Sequence, residues 1–524
     1  MIFLELTLLL LVACVAFAVL ARRTRIPYAA ILVLGGMAMA FVPGLPRLEL
    51  EPALVLAVFL PPLLQASAWR TDWKEFRFNL RPILLLAVGC VVFTAICVAV
   101  VIKAILPDLP WAAALALGAV VAPPDAVAAA SVLARLPIPH RMVTVLEGES
   151  ESLVNDASAI VLFRLAVGAL AVGSLSPGLA ALQFLVVALG GLAVGFAVAR
   201  LCFLIFPRLS DTALEIAVSF LSAYAAFILA EAIHVSGVIA VVANGILLAR
   251  RQHVLMPPRT RLSAVATWQF VEFVLTGLVF LLVGLQLNAI LERLTPYGFW
   301  FLLGTAAALG ATLIVSRFVW VFPATYLPRL LPSVRRTDPP PSPREVTIIA
   351  WAGMRGVVSL AVALSLPVTV PYRDLLIFLA FSAILVTLVV QGTTLEWMIR
   401  RLGVTVRHAP GMSKREAAAR RAMSHAEVAE LESRMESPID GAIARDLIGE
   451  YRERARVFTG VAGGGTQAEL RARLQMRLAV LRAARTRLLD HHAEEVLPEE
   501  MLARLVEETD HEELRLVRQL EQTG

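Results

Sequence analysis

The run Glu147-Gly-Glu-Ser-Glu-Ser-Leu-Val-Asn-Asp156 leads without a break into Ala-Ser-Ala-Ile-Val-Leu-Phe163. Glutamates, an asparagine and an aspartate thus stand at the mouth of an apolar segment long enough to enter a bilayer. An ionised side chain at bilayer depth costs about 3 kcal/mol on insertion scales. Such residues therefore face a protein interior or a water-filled cavity, and they mark function. The same pattern is also what a helix cap looks like, with Asn155 and Asp156 preceding a helix that begins near Ala157. The rest of the chain decides between the two.

The 524 residues are 58% hydrophobic and 17% charged. Soluble domains carry about 25% charged residues and less apolar mass, so a multi-span membrane protein is the class that fits. From Gly411 onward there are 18 Lys and Arg against 21 Asp and Glu, leaving 29 against 20 in the apolar part. The positive excess belongs to the hydrophobic region and reads as a topology signal; no nucleic-acid partner is expected. Cys14, Cys90, Cys97 and Cys202 lie singly in apolar runs and form neither a zinc motif nor a disulfide framework. The first apolar stretch has no basic residues before it, and Arg22, Arg23 and Arg25 follow it, so it reads as a retained span.

At 1.5 Å per residue, about 20 apolar residues cross the hydrocarbon layer. On that rule the sequence predicts thirteen spans: 2–20, 26–42, 51–69, 82–106, 111–134, 150–173, 177–206, 212–231, 235–250, 265–288, 296–327, 346–367 and 372–400. The loops then alternate in charge. One set holds Arg22, Arg23, Arg25, Arg70, Lys74, Arg77, Arg81, Arg135, Arg141, Arg208, Arg250, Arg251, Arg259, Arg261, Arg329, Arg335, Arg336 and Arg344. The other holds Arg47, Lys103, Arg293 and Arg373. The positive-inside rule puts the first set in the cytoplasm, the N-terminus outside and the C-terminal tail inside.

Two of these spans are damaged. The fifth carries Ala122-Pro-Pro-Asp125, where two prolines withdraw the donors owed to the carbonyls of Ala119 and Val120. The twelfth carries Ala352-Gly-Met-Arg-Gly356. They hold equivalent places in a six-plus-six arrangement around the seventh span, and interrupted spans at matching positions point to a transporter site. No residue-level repeat accompanies that symmetry. Residues 1–405 are thus expected to form the membrane domain and 406–524 a helical cytoplasmic tail, in which Leu470, Leu474, Leu478 and Leu481 share a face.

The chemistry suggested by these residues is exchange at one carboxylate. Ser152 and Asp156, four apart, share a helix face, and Asn155 offers an amide carbonyl. Oxygens of this kind suit a hard cation such as Na+ or Li+. A buried carboxylate can hold one such cation or one proton, and that competition suffices for antiport. Arg355 calls for Glu151 or Glu149 as its partner, or else caps carbonyls freed at a helix break. Asp125 suits either the start of the second half of span five or the positive end of a half-helix in span twelve. Glu272 is expected near the cytoplasmic start of its span. Arg164 lies eight residues after Asp156, and Glu231 and His234 are expected in a solvated outer loop.

The Glu-Gly-Glu-Ser…Leu-Val-Asn155-Asp156 stretch resembles the signature of monovalent cation:proton antiporters, in the bacterial sodium/proton branch related to animal sodium/proton exchangers. Gly353-Met-Arg355-Gly-Val-Val-Ser, Pro123-Pro-Asp125-Ala-Val, Phe59-Leu-Pro-Pro-Leu-Leu64 and Val235-Ser-Gly237 resemble its other landmarks, over roughly residues 1–405. The resemblance implies an all-α membrane protein of about thirteen transmembrane helices, with inverted six-helix repeats and two broken crossing helices. It also implies a homodimer in the bacterial cell membrane, with dimerisation and ion-carrying core subdomains and an elevator-like movement. Asp156 would be the shared cation and proton site, supported by Asn155, Ser152, Glu151 and Arg355. The cargo would be Na+, Li+ or K+ against H+, one for one and electroneutral, with no cofactor and no enzymatic step. The doubled Glu-Ser makes Glu149 a second candidate beside Glu151. Pro124 stands where a threonine is usual and leaves only its backbone oxygen, and Gln65-Ala-Ser67 replaces a usual glutamate. A regulated cation channel or sensor on the same scaffold is the alternative.

Overall fold

A computed structural model describes residues 2–24, 26–43, 52–70, 77–125, 142, 155–172, 177–338, 340–404, 414–433, 435, 443–445, 447–449, 465–493 and 499–522. The chain divides into two compact units, Met1–Val406 and Arg407–Gly524. Among the described residues the regular structure is helical throughout.

The first unit opens with α1 (Ile2–Thr24), α2 (Tyr28–Ala40), α3 (Pro52–Arg70), α4 (Leu80–Ile105) and α5 (Trp111–Val121). It continues with α6 (Asn155–Val172), α7 (Pro177–Ile205), α8 (Thr212–Ala232), α9 (Gly237–Leu255) and α10 (Pro258–Leu285). It closes with α11 (Phe299–Tyr326), α12 (Pro343–Trp351), α13 (Val357–Leu364) and α14 (Arg373–Leu402). Each expected span is thus occupied at least in part by helix, the twelfth by the pair α12 and α13. Among the described residues, eight helical stretches are long and apolar enough to cross a membrane, and four more are shorter apolar helices. This is an all-helical, multi-span membrane protein.

Local chemistry sets the ends. Asp211 caps α8 by accepting the N–H of Leu214 at 3.0 Å, and Ser236 caps α9 through Ile239 at 3.2 Å. Ser342 and Glu345 form a reciprocal capping box at the start of α12. Gly403, with φ +66°, stops α14 in the left-handed conformation that glycine adopts without strain. Because lipid supplies no hydrophobic drive between helices, close backbone approach matters. At Gly36 on α2 an added Cβ would lie 2.3 Å from the carbonyl of Leu281 on α10. At Gly245 on α9 it would lie 2.6 Å from Ala68 on α3.

Among the described residues, two apolar clusters are the largest in this unit. The larger draws on α1, α2, α4, α5, α6 and α10 to α14, with Phe163 and Ala166 of α6 buried in it. The smaller joins α3, α7, α8 and α9 through Leu64, Cys202, Ala226, Val238 and neighbours. α4 and α14 each contain a π turn, Leu85–Cys90 and Thr387–Gln391. Such turns leave a carbonyl or hydroxyl open to other partners. Trp320 donates to the carbonyl of Leu85 at 2.9 Å in the first.

In the second unit, α15 (Lys414–Ser433) precedes the helical pair α16 (Gly465–Ala493) and α17 (Glu499–Gln522). Leu474 and Leu478 of the expected apolar face are buried against Leu516. Arg482 meets Glu513 at 2.9 Å and Arg485 meets Asp510 at 2.9 Å.

Candidate ion site at the crossing of two broken helices

Both damaged spans break where the sequence marks them. After Val121 the chain runs non-helically through Ala122, Pro123, Pro124 and Asp125; after Trp351 it does so from Ala352 to Gly356. The two breaks touch. The N–H of Asp125 donates to the carbonyl of Met354 at 2.7 Å, so each break satisfies a backbone group of the other. Irregular backbone at membrane depth persists where protein replaces the missing partners, and here it does.

Arg355 is fully buried and lies across the end of α5. Its Nε donates to the carbonyl of Val121 at 2.8 Å and Nη2 to that of Ala122 at 3.3 Å, while Nη1 serves Gly353 in its own break. Its backbone N–H reaches the hydroxyl of Thr387, in the π turn of α14, at 3.0 Å. Of the roles considered for Arg355, capping of freed carbonyls is therefore present. Arg355 does so at Gly353 in its own span, as anticipated, and also across at Val121 and Ala122; Val121 lacks a helical donor because Asp125 turns its N–H to Met354. Glu149, Glu151 and Ser152 lie outside the described residues.

A second buried arginine does the same for the other break. Arg317, 1% exposed on α11, donates from Nε to Ala350 at 3.2 Å and from Nη2 to Ile349 at 3.0 Å, at the C-terminal end of α12. A helix end carries about half a negative charge, so each guanidinium faces the charge it complements. Sequence reasoning passed over Arg317. Its sole signal is a lone cation inside an apolar run, Ile-Val-Ser-Arg317-Phe-Val-Trp, with no motif around it.

Asp125 takes the opposite part. A Cβ added to Gly356, the residue before α13, would fall 2.4 Å from the Asp125 carboxyl carbon and from Oδ2. The carboxylate thus packs against the positive start of α13, the charge compensation anticipated for span twelve.

Asn155 and Asp156 open α6, and both are buried. The Asn155 amide donates to the carbonyl of Pro124 at 2.9 Å, and its Oδ1 accepts the N–H of Asp156 at 2.6 Å. The side chain expected as an oxygen ligand therefore also ties α6 to the break in span five. One lone pair of that oxygen stays available, since an amide carbonyl has two. Asp156 is 5% exposed, near enough to Asp125 for the two charges to repel. A buried carboxylate flanked in this way can hold a single positive charge, as a proton or a bare cation.

Outside the crossing, Arg164 and Glu231 form an ion pair at 2.8 Å, and Glu231 lies in the last turn of α8 where a solvated loop was expected. Glu272 lies midway along α10, whose helix starts earlier than its apolar stretch does. Gln65, in the place of the usual glutamate, joins a buried amide–hydroxyl group: Asn244 donates to Ser222 at 2.9 Å and to Gln65 at 3.3 Å.

Two interrupted apolar stretches that meet through a backbone bond, beside a buried carboxylate and held by buried arginines, are the kind of site a secondary transporter for ions uses. The family model for the sodium/hydrogen exchanger, transmembrane region, matches residues 8–401, and the chain belongs to that family. It is accordingly an antiporter of monovalent cations and protons, not an enzyme; the ions are cargo, and the family requires no cofactor. The chain is 32% identical over 529 residues to a Na(+)/H(+) exchanger of Mycobacterium tuberculosis, covering 97% of this chain and 95% of that one. It is 32% identical to the Na(+)/H(+) antiporter ApNhaP of Aphanothece halophytica, over 79% of this chain and 77% of that one. The fold is that of the sodium proton antiporter MjNhaP1 of Methanocaldococcus jannaschii, with TM-score 0.59 and 18% identity, over 76% of this chain and 98% of the other.

Proposed function

We propose that the chain exchanges Na+ for H+ one for one, with Asp156 as the shared site, and that Li+ and K+ are further candidate cargo. The burial of Asp156 at the crossing carries this reading: it is a carboxylate sunk in protein at the point where both broken helices end. One carboxylate next to an amide, rather than two carboxylates, offers one titrating charge, hence electroneutral exchange. Ser152, with Glu151 or Glu149, would complete the site, and Arg355, Asp125 and Pro124 would support it. The choice of Na+ rests on relatives named for Na+/H+ exchange. A relative of Bacillus subtilis, 34% identical and named a sodium, potassium, lithium and rubidium/H(+) antiporter, keeps the wider range open.

The architecture proposed for it is thirteen crossings with two inverted six-helix repeats, residues 1–405 in the membrane and 406–524 as a cytoplasmic tail. The basic loops face the cytoplasm and the N-terminus faces outward, in a bacterial cell membrane. In a homodimer, the dimerisation subdomain would stay fixed while the crossing moves past it, elevator-like. Asp156→Asn should abolish cation-driven proton flux in inverted vesicles while the protein stays folded by thermal unfolding in detergent. Normal flux by that variant would sink the assignment. Rapid current without coupled proton movement in the wild type would favour a channel instead.

A further inference from the structure

Arg164 is a cation partway along an apolar helix, the same helix that begins with Asn155 and Asp156. Eight residues on from Asp156, it sits about 12 Å further along the helix axis. It points away from the crossing: Nη2 donates to Glu231 Oε2 at 2.8 Å and Oε1 at 3.0 Å. Glu231 closes α8, and its Oε1 also accepts the N–H of Gly237, the first residue of α9, at 3.3 Å. The turn between them is fastened on its far side, where Ser236 donates its N–H to Val187 of α7 at 3.2 Å. His234, at φ +59°, takes the left-handed conformation within it.

The two ends of the pair belong to different packing units. Phe163 and Ala166, on either side of Arg164, are buried in the larger apolar cluster with the crossing. Ala226, Ala230 and Val238, on either side of Glu231, are buried in the smaller cluster of α3, α7, α8 and α9. The Arg164–Glu231 ion pair therefore links the cluster at the crossing to the one beside it, which also meet at Leu56, Ile160 and Val358. By the expected topology, α8 runs outward, so the bridge lies toward the outer face, away from the basic loops.

Resting on the elevator reading above, we infer that Arg164 and Glu231 are positioning residues that latch α6 to the α8–α9 turn in one of the two transport states. Sliding of α6 along α8 breaks this partly exposed pair, and each charge loses its partner. A contact made in only one state raises the population of that state, by a factor set by the strength of the contact. With the pair on the outer side, the state it favours is the one closed to the outside.

The test uses the full-length protein in liposomes, with Na+ supplied from one face at a time and proton movement read by a pH-sensitive dye. In Arg164→Gln and in Glu231→Gln the half-saturating Na+ concentration should fall about threefold from the outer face and rise from the inner face. The double exchange Arg164→Glu with Glu231→Arg should bring both values back toward wild type. A merely structural contact would not produce opposite shifts. Unchanged values from both faces, or a uniform loss that the double exchange does not rescue, overturns the latch. Asp156→Asn run in parallel separates the two ideas: if it alone is inactive while the Gln variants match wild type, exchange at Asp156 stands and the latch falls.

Discussion

The two breaks solve one problem by different chemistry. At Ala122–Asp125 the helix stops because Pro123 and Pro124 have no N–H to give, so the interruption is covalent. At Ala352–Gly356 every residue could donate, and Gly353 and Gly356 instead make room for neighbours. The caps differ as well. Arg355, which closes the proline break, comes from the glycine break, whereas Arg317, which closes the glycine break, comes from α11. The first arginine joins the two breaks to each other; the second joins one of them to a continuous helix. The proline break thus starts in its own sequence and the glycine break in what surrounds it, while contacts from neighbouring segments hold both.

That contrast ranks the expected effects. Arg355→Gln removes donors from Val121, Ala122 and Gly353 together and dissolves the contact between the breaks. Unsatisfied buried polar groups cost about 1–3 kcal/mol each, so a loss of about 3 kcal/mol and of all transport is expected. Thermal unfolding in detergent and vesicle flux measure the two. Arg317→Gln removes donors from Ile349 and Ala350 and leaves the bond between the two breaks in place, so about half that destabilisation is expected. Flux should be reduced rather than absent, and Arg317→Lys should restore part of it. An Arg317 variant as damaged as the Arg355 variant would show that the outer anchor, not the mutual contact, holds the crossing.

Gly356→Ala comes next. Its Cβ would occupy the space of the Asp125 carboxyl group, 2.4 Å from Oδ2. The φ of −114° at Gly356 suits any residue, so the penalty is steric and falls on Asp125. Gly356→Ala and Asp125→Ala should therefore slow exchange by similar amounts, about tenfold, and the double variant should be little worse than either. Additive losses would mean that Asp125 does not act through the start of α13.

Much of this was legible in the sequence, for identifiable reasons. Prolines and glycines inside apolar runs announce broken helices, because no other residues change backbone chemistry so sharply. Asp156 announced itself by its cost in a bilayer. Arg317 did not, since a cation in an otherwise unbroken helix says nothing of which carbonyls it will meet. The bridge from Arg164 to Glu231 was hidden for a related reason: α6 and α8 are joined by a contact 67 residues apart in sequence. Asn155 was read as a ligand, and its bond to Pro124 follows only once the break in span five is placed beside α6.

The smallest effect is the most discriminating. Pro123→Ala returns an N–H that could reach the carbonyl of Ala119 and extend α5 by a residue. If the prolines alone hold the break, that gain should straighten the segment and disable the crossing. Yet the N–H of Asp125 is already committed to Met354, the amide of Asn155 to Pro124, and Arg355 to Val121 and Ala122. Extension of the helix would have to break all of these contacts to recover one hydrogen bond worth about 1 kcal/mol net. Pro123→Ala should therefore keep exchange within about twofold of wild type and move stability by less than about 1 kcal/mol. A large loss of flux with unfolding unchanged would place control of the break in the prolines themselves, and the two breaks would then differ in cause as well as in their caps.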